Sequence, residues 1–152
     1  MHVTTSNIMP TNHAAQAETL IRATQARVTK PRVAVLAFLL GQKESLTHHD
    51  IQQRLSGDAL DPVTLYRVLE WLSEHELVHR IAGHDQVWRF SAGAGHHTHE
   101  HAHFQCTSCA KVTCFNDVAL PRKLKLPAGF ESEEVDFMIK GTCPLCTKVK
   151  HA

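Results

Sequence analysis

At 152 residues, with 43% hydrophobic and 20% charged side chains, the chain has the length of one mid-sized domain or two small ones and the make-up of a soluble globular protein. A net charge of +1 supplies no global attraction to nucleic acid, and the longest apolar run, Val33 to Leu40, is far short of the ~20 residues of a membrane span. The opening MHVTTSNIMPTNHAAQ lacks the basic start and apolar core of a secretion signal, so a cytoplasmic protein is expected, in which the five cysteines read as thiolate ligands rather than disulfides.

Residues 1–13 are polar and expected to be flexible. From Ala14, AAQAETLIRATQ consists of good helix formers. Thr29-Lys30-Pro31 then signals a helix start, with Thr29 able to cap. RVAVLAFLLGQ is apolar nearly all round, which predicts a core helix stopping at Gly41. Thr47 and Asp50 resemble a capping box opening a helix over HHDIQQRL, with Ile51 and Leu55 inward. Asp61-Pro62 is the clearest start signal in the chain. The helix VTLYRVLEWLSEHEL follows, with Leu65, Val68, Leu69 and Leu72 at helical spacing. Thr64, Tyr66 and Arg67 fall off that apolar set near its N-terminus. Val78–Ile81 and Gln86–Phe90, joined by Ala82-Gly83-His84-Asp85, predict a β-hairpin.

Three helices and a hairpin, the third helix opening on hydrogen-bonding side chains, is the pattern of a winged helix-turn-helix, which lays that helix in the major groove of double-stranded DNA. The plain alternative is a small scaffold on which Tyr66 and Arg67 are ordinary surface. Charge does not choose between them. Arg22, Arg27, Lys30 and Arg32 fall within eleven residues free of acids, yet the first ninety residues carry nine basic and nine acidic side chains.

Ser91–Gly95 reads as a linker of small residues. Beyond it, HAHFQC, KVTCF and Glu134–Lys140 alternate as strands, and LPRKLKLP, between Pro121 and Pro127, has room for a turn or two of helix. This second unit is too small to be stable on its core alone. Cys106-x-x-Cys109 and Cys143-x-x-Cys146, thirty-three residues apart, each have the width to hold two corners of a tetrahedron, which favours a structural zinc over a disulfide or redox pair.

The densest stretch is His96–Cys114, HHTHEHAHFQCTSCAKVTC, with five of the thirteen histidines and three of the five cysteines. If it is extended, His97, His99, His101 and His103 share one face while Ala102 and Phe104 face the core. A solvated polar edge is the alternative reading, and Cys114 is left as the odd thiol. His99–His103 matches HExxH, but that protease chemistry needs a helix; two glycines precede the match, no apolar periodicity surrounds it, and CxxC follows three residues later. A zinc deaminase pattern fails because Thr98 stands where histidine is required. No enzyme activity is expected.

The pieces VTKPRVAVL, DPVTLYRVLEWLSEHELVHRI, HEHAHFQCTSCAKV and GTCPLC, in that order over residues 20–147, resemble the ferric-uptake-regulator superfamily of metal-dependent repressors. The resemblance implies an α+β homodimer, with an N-terminal winged helix-turn-helix over 14–90 and a hinge linker over 91–98. A small α/β dimerisation and metal-binding domain with a four-cysteine zinc site would span 99–152. It also implies that Tyr66 and Arg67 contact bases and phosphates and that Arg27 reaches the minor groove, with Arg32 and Thr64 as further DNA-binding candidates. Cys106, Cys109, Cys143 and Cys146 would hold structural zinc.

The family's regulatory ligands do not all carry over. Its dimerisation-domain site would fall on Glu100, Ala102, Pro121 and Val135 and is therefore expected to be absent; its iron-type hinge site is interrupted by Ser45 and Arg89. The remaining set resembles the zinc-sensing branch: His79 on the first wing strand, with His99, His101, His103 and Cys114, where a thiolate replaces a carboxylate and shifts the preference toward Zn²⁺. The expectation is one structural and one regulatory Zn²⁺ per protomer, in a zinc-responsive repressor of metal-uptake genes acting on a palindromic operator. The alternatives are a sensor of iron, another divalent metal or peroxide, and a zinc-stapled interaction module without DNA binding.

Overall fold

The computed structural model describes residues 11–55, 60–92, 101–115, 117–118, 120–121, 123–133 and 135–150. The first half is helical. Helix α1 (Thr11–Ala23) begins three residues earlier than its composition suggests, so residues 11–13, expected to be flexible, belong to it. Ala17 and Ile21, four apart, are fully buried against α2 (Lys30–Leu40), whose Val35, Leu36 and Leu39 form the centre of the core. Thr29 precedes α2 but its side chain makes no cap hydrogen bond; only its carbonyl accepts, from the Val33 N–H at 3.1 Å. Gly41 ends the helix in a right-handed conformation (φ −83°), so it stops α2 without the left-handed turn that favours glycine.

Strand β1 (Leu46–Thr47) leads into α3 (His48–Arg54) through the expected capping box: the Asp50 N–H donates to Thr47 Oγ1 at 3.1 Å and the Thr47 N–H to Asp50 Oδ2 at 3.2 Å. Helix α4 (Pro62–Glu74) starts on Asp61, whose carboxylate accepts from the Thr64 N–H at 2.9 Å. Leu65, Val68, Leu69 and Leu72 are all buried, which fixes the outward position of Tyr66 and Arg67 by the 3.6-residue period. Strands β2 (His79–Ala82) and β3 (Trp88–Ser91) form the wing hairpin, and the short β1 joins to give the order β1-β3-β2.

The second half is a sheet of β4 (Ala102–Cys106), β5 (Val112–Phe115) and β6 (Phe137–Gly141) in the order β5-β4-β6, with β4 antiparallel to β5 and parallel to β6. Helix α5 (Pro144–Lys150) follows; its proline at the first position is a start signal hidden inside the second CxxC. The turn or two of helix for which LPRKLKLP has room does not form among its described residues, 120–121 and 123–127, where Pro121 and Pro127 each disfavour a helical residue before them. The third strand also starts later, at Phe137 rather than Glu134. The linker residues 93–98 and His97 and His99 lie outside the described residues.

The halves meet through a backbone bridge between their sheet edges. Ser45 bridges to Val112, its N–H donating to the Val112 carbonyl at 3.0 Å, and Lys111 pairs with Glu44 at 3.3 Å. At the wing tip the His84 N–H donates to Gln105 Oε1 at 2.6 Å. The histidine face of β4 is therefore covered by the winged half: His103 and Gln105 are 6% and 4% exposed. Ala102 is buried and Phe104 half-buried on the opposite face, so both faces of β4 are packed. No helix among the described residues is long and apolar enough to cross a membrane.

Candidate metal centres and nucleic-acid face

Two groups of soft donors emerge. In the first, Cys106 closes β4, Cys109 sits in the turn that returns to β5, and Cys143 and Cys146 flank the start of α5. Their four sulfurs lie within 4.8 Å of one another. A left-handed Ala110 (φ 61°) and the Ala110 N–H to Cys106 carbonyl bond at 2.9 Å fold the first CxxC into a knuckle. The Cys143 N–H donates to Cys106 Sγ at 3.3 Å, and backbone N–H groups of Cys143 and Cys109 draw the Cys106 thiol down to about 6. Cys146 is pushed up to about 12 by hydrogen bonding to Cys143, with burial and the other two thiols adding to it. Cys106 thus ionises readily, while Cys146 beside it resists ionisation. The Cys109–Cys143 sulfur separation of 3.9 Å is close to the ~3.8 Å edge of a tetrahedron with Zn–S bonds of ~2.3 Å.

The second group joins the halves. His79 comes from β2, His101 from the residue before β4, His103 from β4 and Cys114 from β5. Strand pairing sets His103 directly opposite Cys114, and alternation puts His101 on the same face as His103. The rings of His79, His101 and His103 have centroids 4.6–5.7 Å apart. All four ligand atoms lie within 4.8 Å of one another. His79 Nε2 is 3.4 Å from Cys114 Sγ, close to the ~3.5 Å edge expected between nitrogen and sulfur on a tetrahedral zinc. Three imidazoles and one thiolate, with no carboxylate, suit Zn²⁺ better than the harder Fe²⁺ or Mn²⁺. Burial raises the Cys114 thiol above its usual range, opposed by hydrogen bonds with Ser45 and Ser91.

Sequence reading missed this hydroxyl surround. Ser45 Oγ lies 3.8 Å and Ser91 Oγ 3.9 Å from Cys114 Sγ. Strand alternation gave no hint of Ser45, which arrives from a different part of the chain. Arg89, the other interruption of the iron-type pattern, turns away to the wing loop, where it chelates Asp85 at 2.8 and 2.9 Å and is 6% exposed. That guanidinium holds the Asp85 carboxyl well below its usual range. A Cβ on Gly83 would collide with both Arg89 Nη1 and Asp85 Oδ1, so glycine there leaves room for the pair.

At the start of α4, Tyr66 is 54% and Val63 58% exposed, and Arg67 and Arg27 are exposed as well. His48, Pro62, Val63 and Tyr66 line an apolar notch of about 310 Å³. Two further DNA-binding candidates also make local contacts. Thr64 donates its hydroxyl to Asp61 Oδ2 at 2.5 Å, which completes the helix cap. Arg32 lies over the Trp71 ring, 3.7 Å from its centroid, and donates to the Arg27 carbonyl at 2.8 Å. Stacking and that bond hold Arg32 in place, whereas nothing comparable anchors Arg67 among the described residues.

A winged helix tied to a small sheet that carries a four-cysteine group is the architecture of a DNA-binding regulator of the winged-helix class. Residues 23–139 match the ferric uptake regulator family, and the chain belongs to that family of metal-responsive DNA-binding repressors. It is 28% identical over 145 residues to the peroxide operon regulator of Bacillus subtilis (strain 168), covering 92% of this chain and 97% of that protein. It is 29% identical over 111 residues to the ferric uptake regulation protein of Haemophilus ducreyi, covering 68% and 71%. Its fold is similar to that of a zinc uptake regulator complexed with zinc and DNA, with a TM-score of 0.68 and 21% identity over 96% of this chain and all of that one. The names of these proteins span peroxide, iron and zinc, so family membership leaves the signal open.

Proposed function

We propose that the chain is a zinc-responsive repressor, active in the cytoplasm as a homodimer on a palindromic operator. The observation that carries this reading is the His79–His101–His103–Cys114 group, whose donors come from the wing and the second sheet and include a thiolate but no carboxylate. His99 remains a further candidate ligand outside the described residues. His79, His101, His103 and Cys114 would hold Zn²⁺, which when bound would cross-link donors that no covalent bond connects. His79 then fixes β2 against β4 and β5, and through β2 the whole winged half, including α4. With two protomers joined through their second domains, this sets the spacing of two α4 helices to operator half-sites a helical turn or a multiple apart.

In this reading Tyr66 and Arg67 contact bases and phosphates, and Arg27 reaches the minor groove, with Arg32 contributing charge from its stacked position. Cys106, Cys109, Cys143 and Cys146 hold a second, permanent zinc. The relationship to a peroxide operon regulator favours one rival, in which peroxide rather than metal supply is the signal.

The test is metal content per protomer before and after mild chelation, with an operator gel-shift on each sample and on one treated with peroxide. One tight zinc, one labile zinc and DNA binding only with both support the reading. Operator binding that survives loss of the labile metal, or that peroxide abolishes while chelation does not, overturns it.

A further inference from the structure

Between the winged half and the second sheet opens a cleft of about 600 Å³, and His79 and His103 both line it. So do four carboxylates: Glu70 and Glu74 on α4, Glu76 just beyond its end, and Asp136 on the approach to β6. Glu70 and Glu74 are four residues apart and so share one helix face. The one lining guanidinium or ammonium is that of Arg80, drawn onto the Trp88 ring at 4.3 Å from its centroid. None of the four carboxylates is used in an ion pair among the described residues. Four negative charges against one positive thus line a cavity that reaches two potential metal ligands.

We infer that this cleft is the entry route for the divalent cation, and that Glu70, Glu74, Glu76 and Asp136 set the rate at which it reaches His79 and His103. The inference rests on the reading that those histidines bind metal. Clefts lined by one sign of charge focus the field between low-dielectric walls and raise the local concentration of the opposite ion, accelerating association by ~10–10³. A cation of charge two feels that field twice over. The carboxylates are hard oxygen donors that hold a hydrated cation loosely, and the imidazoles and thiolate beyond them outcompete them for zinc. The acids therefore govern arrival and leave departure to the four ligands. Their effect decays with salt, because the Debye length falls from ~8 Å at 0.15 M to ~3 Å at 1 M.

The test uses the full chain with the four-cysteine group loaded with zinc and Co²⁺ as the probe, followed by stopped-flow absorption of the cobalt–thiolate band that Cys114 would give. Glu70→Gln/Glu74→Gln/Asp136→Asn is compared with Glu18→Gln/Asp117→Asn/Glu131→Gln, three acids that do not line the cleft. Glu76 is left in place because its left-handed backbone (φ 57°) shapes the turn after α4. The cleft variant is expected to bind Co²⁺ about tenfold more slowly at low salt, near the lower end of the focusing range, with dissociation unchanged. The gap should narrow toward twofold at ~1 M salt. The control variant should match the parent protein. Equal association rates in all three, an equal slowing in the control, or faster dissociation in the cleft variant overturns the proposal. Absence of any cobalt–thiolate band in the parent protein refutes instead the reading of the four-ligand site on which it rests.

Discussion

Replacing Cys114 with serine tests the proposed regulatory centre most directly. Serine keeps the size class and the hydroxyl neighbours, since Ser45 and Ser91 already surround the sulfur. The stability of the metal-free protein should therefore change by less than ~1 kcal/mol. Metal binding should not be spared. The alcohol does not ionise near neutral pH, so three imidazoles remain. Removing even an outer partner of a metal ligand costs ~10–100-fold in affinity, so loss of the only thiolate should cost at least ~100-fold, or ~2.7 kcal/mol. At a free zinc concentration of ~100 times the parent's Kd, linkage gives the parent ~2.7 kcal/mol of added stability and the variant ~0.4 kcal/mol. For a protein of this length the zinc-induced rise in Tm should then fall from ~5–10 °C to ~1–2 °C. Thermal unfolding with and without added zinc, on protein whose four-cysteine group stays loaded, reads this difference, and chelator competition reads the Kd. A variant whose zinc-induced shift stays within twofold of the parent's would remove Cys114 from the ligand set. One that fails to fold would place it in the structural chemistry instead.

Arg67→Ala should cost about 1–3 kcal/mol of operator affinity if it makes a specific contact, measured by fluorescence anisotropy at fixed salt; unchanged affinity takes it out of the interface. Arg32→Ala should lower stability by ~1 kcal/mol through loss of the stack on Trp71, with denaturant unfolding as the readout. Asp85→Asn leaves the buried Arg89 without its carboxylate and should cost ~2 kcal/mol, less than the ~3–5 of a fully buried pair because Asp85 is 38% exposed. Its lowered pKa means that this stability is complete above the unfolded value of ~3.9 and fades as pH falls toward the folded one, so parent and variant should converge in acid. Strong chelation of the metal held by the four cysteines should unfold the second sheet while the helical core persists, visible as loss of β signal with retained helix. Retained sheet structure would show that β4–β6 stand without the staple.

Much of this molecule is written in local pattern. Asp61-Pro62, the Thr47–Asp50 box and the spacing of Leu65, Val68, Leu69 and Leu72 each report a short-range hydrogen bond or one helix face, which the chain carries wherever it folds. Paired CxxC motifs announce a soft-metal group for the same reason, since each pair is already two corners of one site. Local pattern misleads where competing signals have to be weighed: Thr29 looks like a cap but leaves the work to Pro31, and LPRKLKLP has helix formers that its prolines override. It also hides the duties of Thr64 and Arg32, whose partners Asp61 and Trp71 are within reach but whose rotamers depend on packing.

Residue types and spacing determined that the chain carries a winged helix, a four-cysteine group and a row of histidines. Only the tertiary structure decided which histidines meet which thiol. His79 and Cys114 are thirty-five residues apart, and they come within 3.4 Å because β2 of the wing meets the sheet in which β5 pairs with β4. No local propensity encodes that meeting. It follows from burying the histidine face of β4 under the wing, and the same burial opens the acidic cleft that leads to it.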